Sequence, residues 1–207
     1  MGNTKYDSCS ERDLWNLVRT GDEGAFSFIY REQVKYLFTY GSHFTNDEEL
    51  VKDCIQEVFA RLFHRADKLG ETTNIRFYLC LALRNEIWME YRRRKRLPLS
   101  AMDELPFLAN FYLESPEEEP LQQHLEKIVE TINLLPHRQK EIIYYRYIEE
   151  LSYEQICRIM GLKYQSAVNL VQRSLKKIRE IYTHTFSYSD LPLALFFILK
   201  MHLFVNK

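Results

Sequence analysis

Residues 151–181 read LSYEQICRIMGLKYQSAVNLVQRSLKKIREI, and this stretch predicts two helices joined by a tight corner. Ser152 is followed three residues later by Gln155, a capping-box pattern that begins a helix by satisfying its unpaired backbone N–H groups. Gly161 follows apolar residues at helical spacing, where a residue without Cβ accepts a left-handed backbone at little cost. We therefore predict that the first helix ends at Gly161.

The second helix is predicted to begin near Tyr164 or Gln165, and helical spacing divides its residues between two faces. The mainly apolar face consists of Ala167, Leu170, Val171, Ser174, Leu175 and Ile178. The opposite face is polar, contains no acid, and consists of Gln165, Ser166, Asn169, Gln172, Arg173, Lys176 and Lys177. Amides pair with adenine and arginine pairs with guanine in the major groove of DNA, so this face is suited to contacting base edges.

A helix, a short turn with glycine, and a basic second helix together form the helix-turn-helix pattern of DNA-binding proteins. An ordinary helical hairpin with a solvated charged face is the alternative, because hairpins are common and one glycine at the corner is weak support. The pattern alone favours DNA binding over the hairpin.

The composition favours a helical protein. The 207 residues include 46% hydrophobic residues, enough to form cores, but only six glycines and six prolines. Four cysteines lie far apart without a C-x-x-C pair, and no signal peptide is apparent, so we expect buried thiols and a cytoplasmic location.

The formal net charge of −1 conceals a strong segregation of charge along the chain. Residues 84–96 contain six basic residues and two acids, residues 103–119 contain six acids and no base, and residues 136–182 contain nine basic residues and five acids. Two basic blocks therefore flank an acidic one, and each basic block is a candidate nucleic-acid surface.

Amphipathic spacing predicts four helices in the first half of the chain, over residues 11–20, 23–44, 47–66 and 74–94. Asn46 or Asp47 is expected to cap the third, with acids in its first turn. Asp47, Glu48 and Glu49 are interpreted as capping charges rather than catalytic carboxylates or metal ligands.

The fourth helix changes character along its length. Its first half is almost entirely apolar, which predicts a central position in a small bundle. Its second half places Trp88 and Tyr91 among cations, a combination that holds phosphates and stacks on unpaired bases. Cations also stabilise a helix C-terminus, but the five consecutive cations at residues 92–96 exceed what a cap requires.

We predict an all-α chain of two small helical domains joined by an acidic, proline-containing linker, the second ending in the helix-turn-helix. The predicted boundaries are a loose N-terminus at 1–10, a first domain at 11–96, the linker at 97–120, a second domain at 121–183 and an apolar tail at 184–207. The linker could hold a short helix over 107–113. The tail, apolar over 191–205, is shorter than a bilayer span and is expected to form a packed helix, with membrane contact as the minority interpretation.

The order of these features resembles the sigma factors of bacterial RNA polymerase, sigma-70 family, extracytoplasmic-function (ECF) group. The run DEELVKDCIQEVFARLF resembles the family's core-binding helix, and NIRFYLCLALRNEIWMEYRRRKR resembles its promoter-melting helix. The run LPHRQKEIIYYRYIEELSYEQICRIMGLKYQSAVNLVQRSLKKIRE resembles its carboxy-terminal promoter-recognition domain. The general pattern is most similar to Bacteroidetes-type members.

The resemblance implies promoter DNA and core RNA polymerase, through its β′ clamp helices and β flap, as partners, and an anti-sigma factor that is possibly membrane-bound. It implies no cofactor, metal or small-molecule substrate and no enzymatic activity. The implied core-binding residues are Asp53, Gln56, Glu57, Arg61 and Leu62. The implied minus-10 residues are Asn74, Arg84, Asn85, Trp88, Tyr91, Arg92, Arg93 and Lys95. The implied minus-35 residues are Gln165, Ser166, Asn169, Gln172, Arg173 and Lys176.

A stand-alone helix-turn-helix regulator, with residues 10–96 as a sensor or dimerisation domain, is the competing interpretation. Such a regulator would bind a palindromic site as a dimer, whereas a sigma factor requires the polymerase to space its two DNA surfaces. The cations and aromatics of residues 84–96 favour the sigma factor. An enzyme acting on nucleic acid is disfavoured, because the sequence shows no metal-ligand cluster, glycine-rich phosphate loop, or nucleophile and base pair.

Overall fold

The computed structural model describes residues 4–98, 105–113, 129–183 and 203–206. The chain divides into two units, Met1–Leu105 and Pro106–Lys207, and helices dominate the described part of each. Within these residues, no helix is both long enough and apolar enough to cross a membrane.

Helices account for nearly all the regular structure of the first unit. They are α1 (Thr4–Asp7), α2 (Glu11–Arg19), α3 (Glu23–Ser42), α4 (Glu48–His64) and α5 (Ile75–Lys95), with a 3-10 turn at Ala66–Lys68. The last four correspond to the four predicted helices, with ends that differ from the predictions by no more than two residues.

Each of these four helices begins at a polar capping residue. Ser10, Asp22, Asp47 and Asn74 accept a hydrogen bond from the backbone N–H three residues ahead, at 2.8 to 3.1 Å. These caps satisfy backbone donors that have no partner within the helix, which explains why the helices begin where they do. The predicted cap Asp47 is therefore confirmed, and Glu48 follows in the first turn of α4. Asn74 caps α5 in the same way.

The core of the first unit forms where α3, α4 and α5 pack on one another. The apolar first half of α5 is largely buried, as predicted for a central helix. Gly41 of α3 permits this packing, because a Cβ there would lie 2.6 Å from a methyl carbon of Val51. Helical spacing predicts a buried row on α4 that includes Val58, Leu62 and Phe63. The prediction is wrong for Phe63, which is 48% exposed and lies at the edge of the core.

The second unit contains the predicted helix-turn-helix. Its helices are the described part of α6 (129–133), α7 (His137–Ile143) with a π-helical continuation at Tyr144–Ile148, α8 (Tyr153–Met160) and α9 (Tyr164–Thr183). Ser152 and Gln155 form both hydrogen bonds of the capping box, and Gly161 ends α8 with φ of 66°. The corner is therefore formed by the same residues from which it was predicted.

A short antiparallel sheet replaces two predicted helices of the second unit. Strand β1 (Asn110–Leu113) pairs with β2 (Leu203–Asn206), with Asn110 opposite Asn206 and Leu113 opposite Leu203. The predicted helix over 107–113 is therefore wrong, and so is the part of the predicted tail helix at 203–205. Both segments contain aromatic or β-branched residues, which favour extended backbone once a partner strand is available. The rest of the predicted tail helix, residues 191–202, lies outside the described residues.

Part of the predicted linker belongs to the folded second unit. Phe107 and Ala109 are buried, and the Phe107 ring lies 5.4 Å from that of Tyr144. Burial of these apolar side chains against the second unit is favourable, because it removes them from water. This part of the predicted linker is therefore packed on the second unit. Residues 99–104 and 114–120 of the predicted linker lie outside the described residues.

Candidate nucleic-acid and polymerase interfaces

Helix α9 presents the predicted minus-35 residues together on one face. The helix is fixed in the second unit by Ala167, Val171, Ser174 and Ile178, which are buried on its apolar side. Ser174 lies among apolar residues without penalty because its hydroxyl donates to the backbone oxygen of Leu170 at 2.8 Å. The exposed side chains are Gln165, Ser166, Asn169, Gln172, Arg173 and Lys176. The sequence pattern thus predicted these buried and exposed positions, while Leu170, Leu175 and Lys177 are half-buried.

Five of these six side chains line one shallow cavity. Its volume is about 490 Å³, and its walls are formed by Ser166, Asn169, Gln172, Arg173 and Lys176. The amides and the hydroxyl can donate or accept hydrogen bonds, the guanidinium offers a planar pair of donors, and the ammonium adds positive charge. Among the residues that the structure describes, no carboxylate lines the cavity, so this surface can approach DNA without repelling the phosphates.

Two contacts on this face were not visible from the sequence. The Gln165 Nε2 amine donates to Asn169 Oδ1 at 2.9 Å, which orients both amides. Lys176 Nζ lies 3.6 Å from a carboxylate oxygen of Glu180, one turn further along α9. This pair is largely exposed to solvent, so it restrains the lysine only weakly.

Helix α8 and the corner hold α9 in place. Ile156, Ile159 and Met160 of α8 are buried in the second unit. At the corner, the ring of Tyr153 lies 5.6 Å from that of Tyr164, the first residue of α9. Helix α9 therefore begins at a position set by packing, and its exposed face is presented by a fixed framework.

Helix α5 is fixed at its beginning by contacts with the first part of the chain. The indole of Trp15 is fully buried and donates to the backbone oxygen of Gly70 at 2.8 Å. The first backbone N–H of α5, that of Ile75, donates to the Glu11 carboxylate at 2.8 Å. A carboxylate at a helix N-terminus is stabilised by the helix dipole as well as by this hydrogen bond.

Six of the eight predicted minus-10 residues are accessible on α5. Asn74 caps the helix and remains exposed, as do Asn85, Arg93 and Lys95, while Tyr91 and Arg92 are half-buried. This arrangement offers amides, cations and one aromatic ring along the outside of the helix, the groups that suit single-stranded DNA.

The other two predicted minus-10 residues are buried. Arg84 is fully buried, with its guanidinium 5.9 Å from the centre of the Phe44 ring, and Trp88 is 4% exposed. Neither side chain can contact DNA from this position, so the prediction that Arg84 and Trp88 belong to the minus-10 surface is wrong. Trp88 packs beside Tyr91, with ring centroids 6.3 Å apart, and so restricts the position of the more exposed ring.

Carboxylates and a backbone oxygen hold three cations at the C-terminal end of α5. Arg93 is paired with Glu90 at 2.6 Å, and Arg94 with Asp47 at 2.9 Å. Arg92 Nε donates to the backbone oxygen of Leu97 at 3.0 Å. These contacts fix the direction of each guanidinium, and the two carboxylates reduce the net positive charge that the helix end offers to DNA.

The shifted pKa values at this end follow from these contacts. The pKa of Asp47 is lowered, first because its carboxylate accepts from the backbone N–H of Leu50 and next because of Arg94. The Glu90 carboxylate raises the pKa of Arg93. Each group is therefore held in its charged form near neutral pH.

The predicted core-binding residues divide between the surface and the core. Asp53, Gln56, Glu57 and Arg61 are exposed along one side of α4. Leu62 is only 2% exposed, so the prediction that it belongs to a contact surface is wrong. It follows Val58 by four residues in the buried row of the helix, which places it in the core.

Arg61 connects α4 to α5 through two carboxylates. Its guanidinium forms ion pairs with Glu57, at 3.7 Å and one turn away, and with Glu86 of α5. The Glu86 side chain is 16% exposed, so this half of the network is partly shielded from solvent. The bridge holds Arg61 in one direction on the exposed side of α4.

The described residues offer no group of three or more His, Cys, Asp or Glu side chains arranged to hold a metal ion. Cys54 and Cys80 are buried, and burial raises the pKa of the Cys54 thiol to about 12. Cys54 therefore stays protonated and acts as a small apolar core residue.

Comparisons with known proteins agree on the family. A family model described as Sigma-70 region 2 matches residues 29–97, and one described as Sigma-70, region 4 matches residues 125–178. The chain is 30% identical over 166 residues to the ECF RNA polymerase sigma-E factor of Haemophilus influenzae, covering 74% of this chain and 85% of that protein. It is 28% identical over 145 residues to RNA polymerase sigma factor SigZ of Bacillus subtilis, covering 70% and 80% of the two proteins.

A solved structure shares the fold. The sigma factor RpoE of Bartonella quintana, in complex with the anti-sigma factor NepR, aligns with a TM-score of 0.50 at 18% identity, over 78% of this chain and 98% of that one. The two matched regions lie in the two units in the order that the sequence predicted. The chain belongs to the extracytoplasmic-function group of the sigma-70 family of RNA polymerase sigma factors.

Proposed function

We propose that this sigma factor recognises the minus-35 element of its promoters through the exposed face of α9. The observation that carries the proposal is the acid-free cavity lined by five of the six predicted contact residues. Amides and arginine suit base edges in the major groove, and the ammonium group of Lys176 suits a phosphate. The weak ion pair of Lys176 with Glu180 would have to open for that contact. The division between base and phosphate contacts is part of the proposal.

The accessible residues of α5 are proposed to hold the opened minus-10 strand. Asn74, Asn85, Tyr91, Arg92, Arg93 and Lys95 form this proposed surface. Stacking of an unpaired base on an aromatic ring contributes about 1–3 kcal/mol, which offsets part of the cost of removing that base from the duplex. The half-buried Tyr91, supported by Trp88, is the proposed stacking ring.

Core RNA polymerase is proposed to bind the exposed side of α4 through its β′ clamp helices, while its β flap contacts the second unit. Asp53, Gln56, Glu57 and Arg61 form the proposed contact face on α4. The Arg61 bridge to Glu57 and Glu86 supports this proposal, because it holds a charged group in a defined direction before the partner arrives. Action on promoters would place the protein in the cytoplasm, where the bacterial chromosome lies.

An anti-sigma factor is the proposed regulator. The solved structure of the Bartonella quintana sigma factor contains an anti-sigma factor, which supports a partner of this kind. Because the sequence resembles Bacteroidetes-type members of the family, the proposal includes an anti-sigma factor that is bound to the membrane. Addition of such a regulator's cytosolic domain is expected to abolish transcription directed by this protein, and unaffected transcription would contradict the proposed pairing.

Run-off transcription with purified core RNA polymerase tests the proposed function. Promoter fragments are transcribed with the wild-type protein, with a double variant that carries both Asp53→Ala and Gln56→Ala, and with the single variant Lys52→Ala. Lys52 lies on the same helix, so the single variant is a matched control. We expect specific transcripts with the wild type and the control, and their loss with the double variant. If the wild type supports no transcript but protects a palindromic site alone, the stand-alone regulator is the correct interpretation.

A further inference from the structure

Helix α2 holds both ends of the loop that precedes α5. The loop comprises residues 70–74 and is irregular. At its beginning, the backbone oxygen of Gly70 accepts from the fully buried indole of Trp15 at 2.8 Å. Directly after its end, the backbone N–H of Ile75 donates to the Glu11 carboxylate at 2.8 Å. The loop is therefore confined between two side chains of one helix.

The loop leads directly into the surface proposed to hold the opened minus-10 strand. Asn74, the last residue of the loop, is exposed and belongs to that surface. Its Oδ1 accepts from the backbone N–H of Phe77 at 2.8 Å, so Asn74 and Glu11 satisfy two of the N–H groups at the start of α5. Glu11 therefore supplies, from another helix, a restraint on the backbone beside Asn74.

The Glu11 carboxylate has two expected effects on DNA binding, and they have opposite signs. A loop that is restrained in advance loses less conformational freedom when a ligand binds, so the contact with Ile75 should increase affinity. A carboxylate near bound DNA repels the phosphates, so its charge should decrease affinity. The direction of the change on substitution therefore shows which effect is larger.

We propose that Glu11 is a positioning residue for the minus-10 strand, which it influences by holding the backbone of Ile75 and thereby the position of Asn74. The side chain acts through the backbone and need not touch DNA. This inference rests on the proposed function of α5. It adds α2, a helix that contains none of the predicted contact residues, to the elements that determine minus-10 binding.

Three variants separate positioning from charge and from stability. Glu11→Ala removes the acceptor and the charge, whereas Glu11→Gln removes the charge but keeps an oxygen that can accept from Ile75. Asp22→Ala is the matched control, because the Asp22 carboxylate accepts from the backbone N–H of Ala25 at the start of α3, at 2.9 Å. It also accepts from the Tyr6 hydroxyl at 2.8 Å. We therefore expect Asp22→Ala to lower the Tm of the protein at least as much as Glu11→Ala.

Fluorescence anisotropy of the complete holoenzyme provides the test. The two probes are the single-stranded minus-10 element and the minus-35 duplex of a promoter identified by run-off transcription. We expect Glu11→Ala to weaken binding of the minus-10 strand by about threefold to tenfold, the range of one hydrogen bond. Glu11→Gln and Asp22→Ala should stay within about twofold of the wild type. Binding of the minus-35 duplex should not change with any of the three variants.

The outcomes distinguish this inference from the proposed function. Equal or tighter binding of the minus-10 strand by Glu11→Ala overturns the inference and leaves minus-10 recognition intact. An equal loss with Glu11→Gln or with Asp22→Ala also overturns it, because charge or stability would then explain the effect. An equal loss of binding to the minus-35 duplex overturns it as well. If the wild-type holoenzyme binds the minus-10 strand no more tightly than an unrelated strand, the proposed function fails and the inference fails with it.

Discussion

The exposed face of α9 and the C-terminal half of α5 carry similar residue types but present them differently. On α9, the amides and cations lie together along an acid-free cavity. On α5, Arg84 and Trp88 are buried, while Arg93 and Arg94 are paired with Glu90 and Asp47. A cluster of cations in a sequence therefore offers less net positive charge to DNA where packing buries some of the cations or carboxylates pair with them.

The largest expected effect tests the buried part of α5. Arg84→Ala should lower the free energy of unfolding by about 2–4 kcal/mol, because it leaves a cavity in the core and removes the contact of the guanidinium with the Phe44 ring. Arg93→Ala, on the exposed side of the same helix, should change it by less than about 0.5 kcal/mol. Urea unfolding followed by tryptophan fluorescence measures both, since the two tryptophans of the sequence, Trp15 and Trp88, lie in the first unit. Equal effects of the two variants would contradict the burial of Arg84.

The next effect concerns the exposed face of α9. Arg173→Ala should reduce transcription by about 5- to 150-fold, the range expected when a bidentate arginine contact to a base is lost. Arg179→Ala is a matched control, because Arg179 is exposed on the same helix but does not line the cavity. Run-off transcription at sub-saturating holoenzyme measures both variants. Similar losses from the two changes would indicate a general charge effect instead of base recognition.

A smaller effect in the opposite direction is expected at the C-terminal end of α5. Glu90→Gln releases Arg93 from its ion pair, so holoenzyme should bind a single-stranded minus-10 oligonucleotide about two- to fivefold more tightly, as expected for a surface pair. The salt dependence should steepen as well. Fluorescence anisotropy across a salt series measures both quantities. Glu23→Gln on α3 removes the same charge elsewhere in the unit, and an equal gain from it would contradict release of Arg93.

The smallest effect is a pH dependence at Asp47. Because the pKa of Asp47 is lower in the folded than in the unfolded protein, its carboxylate stabilises the fold above the unfolded pKa of about 3.9, and this contribution disappears as the pH falls through the folded pKa. Asp47→Asn preserves the helix cap but cannot titrate or pair with Arg94. The Tm of the wild type should therefore exceed that of the variant at pH 6 and approach it below about pH 3.9. A Tm difference that does not vary with pH would exclude this contribution.

Local signals predicted the α9 surface well. The capping box at Ser152 and Gln155, Gly161 and a clear 3.6-residue period each act over a few residues, so the sequence displays them directly. The same period excluded Leu62 from the surface, because it lies in the buried row with Val58. Its assignment to the contact face followed the family resemblance against that local signal.

Other features depend on contacts that no local pattern shows. In its first half, α5 carries apolar residues on all of its sides. The helical period of apolar residues therefore does not reveal which side of α5 is buried, or that Arg84 and Trp88 lie on that side. The Arg94 pair with Asp47 joins residues 47 positions apart. Strand β1 likewise forms with β2 from the far end of the chain, and without that partner the aromatic run at 110–113 could be assigned equally well to a helix.

Photo-crosslinking of the holoenzyme to promoter DNA tests most directly the central claim, that α9 and α5 contact separate promoter elements. A crosslinking residue replaces either Ser166 on α9 or Asn85 on α5, both of which are exposed. We predict that position 166 crosslinks to the minus-35 duplex and position 85 to the minus-10 strand, each only when core polymerase is present. Crosslinks from both positions to the same element, or the same crosslinks without polymerase, would contradict the claim.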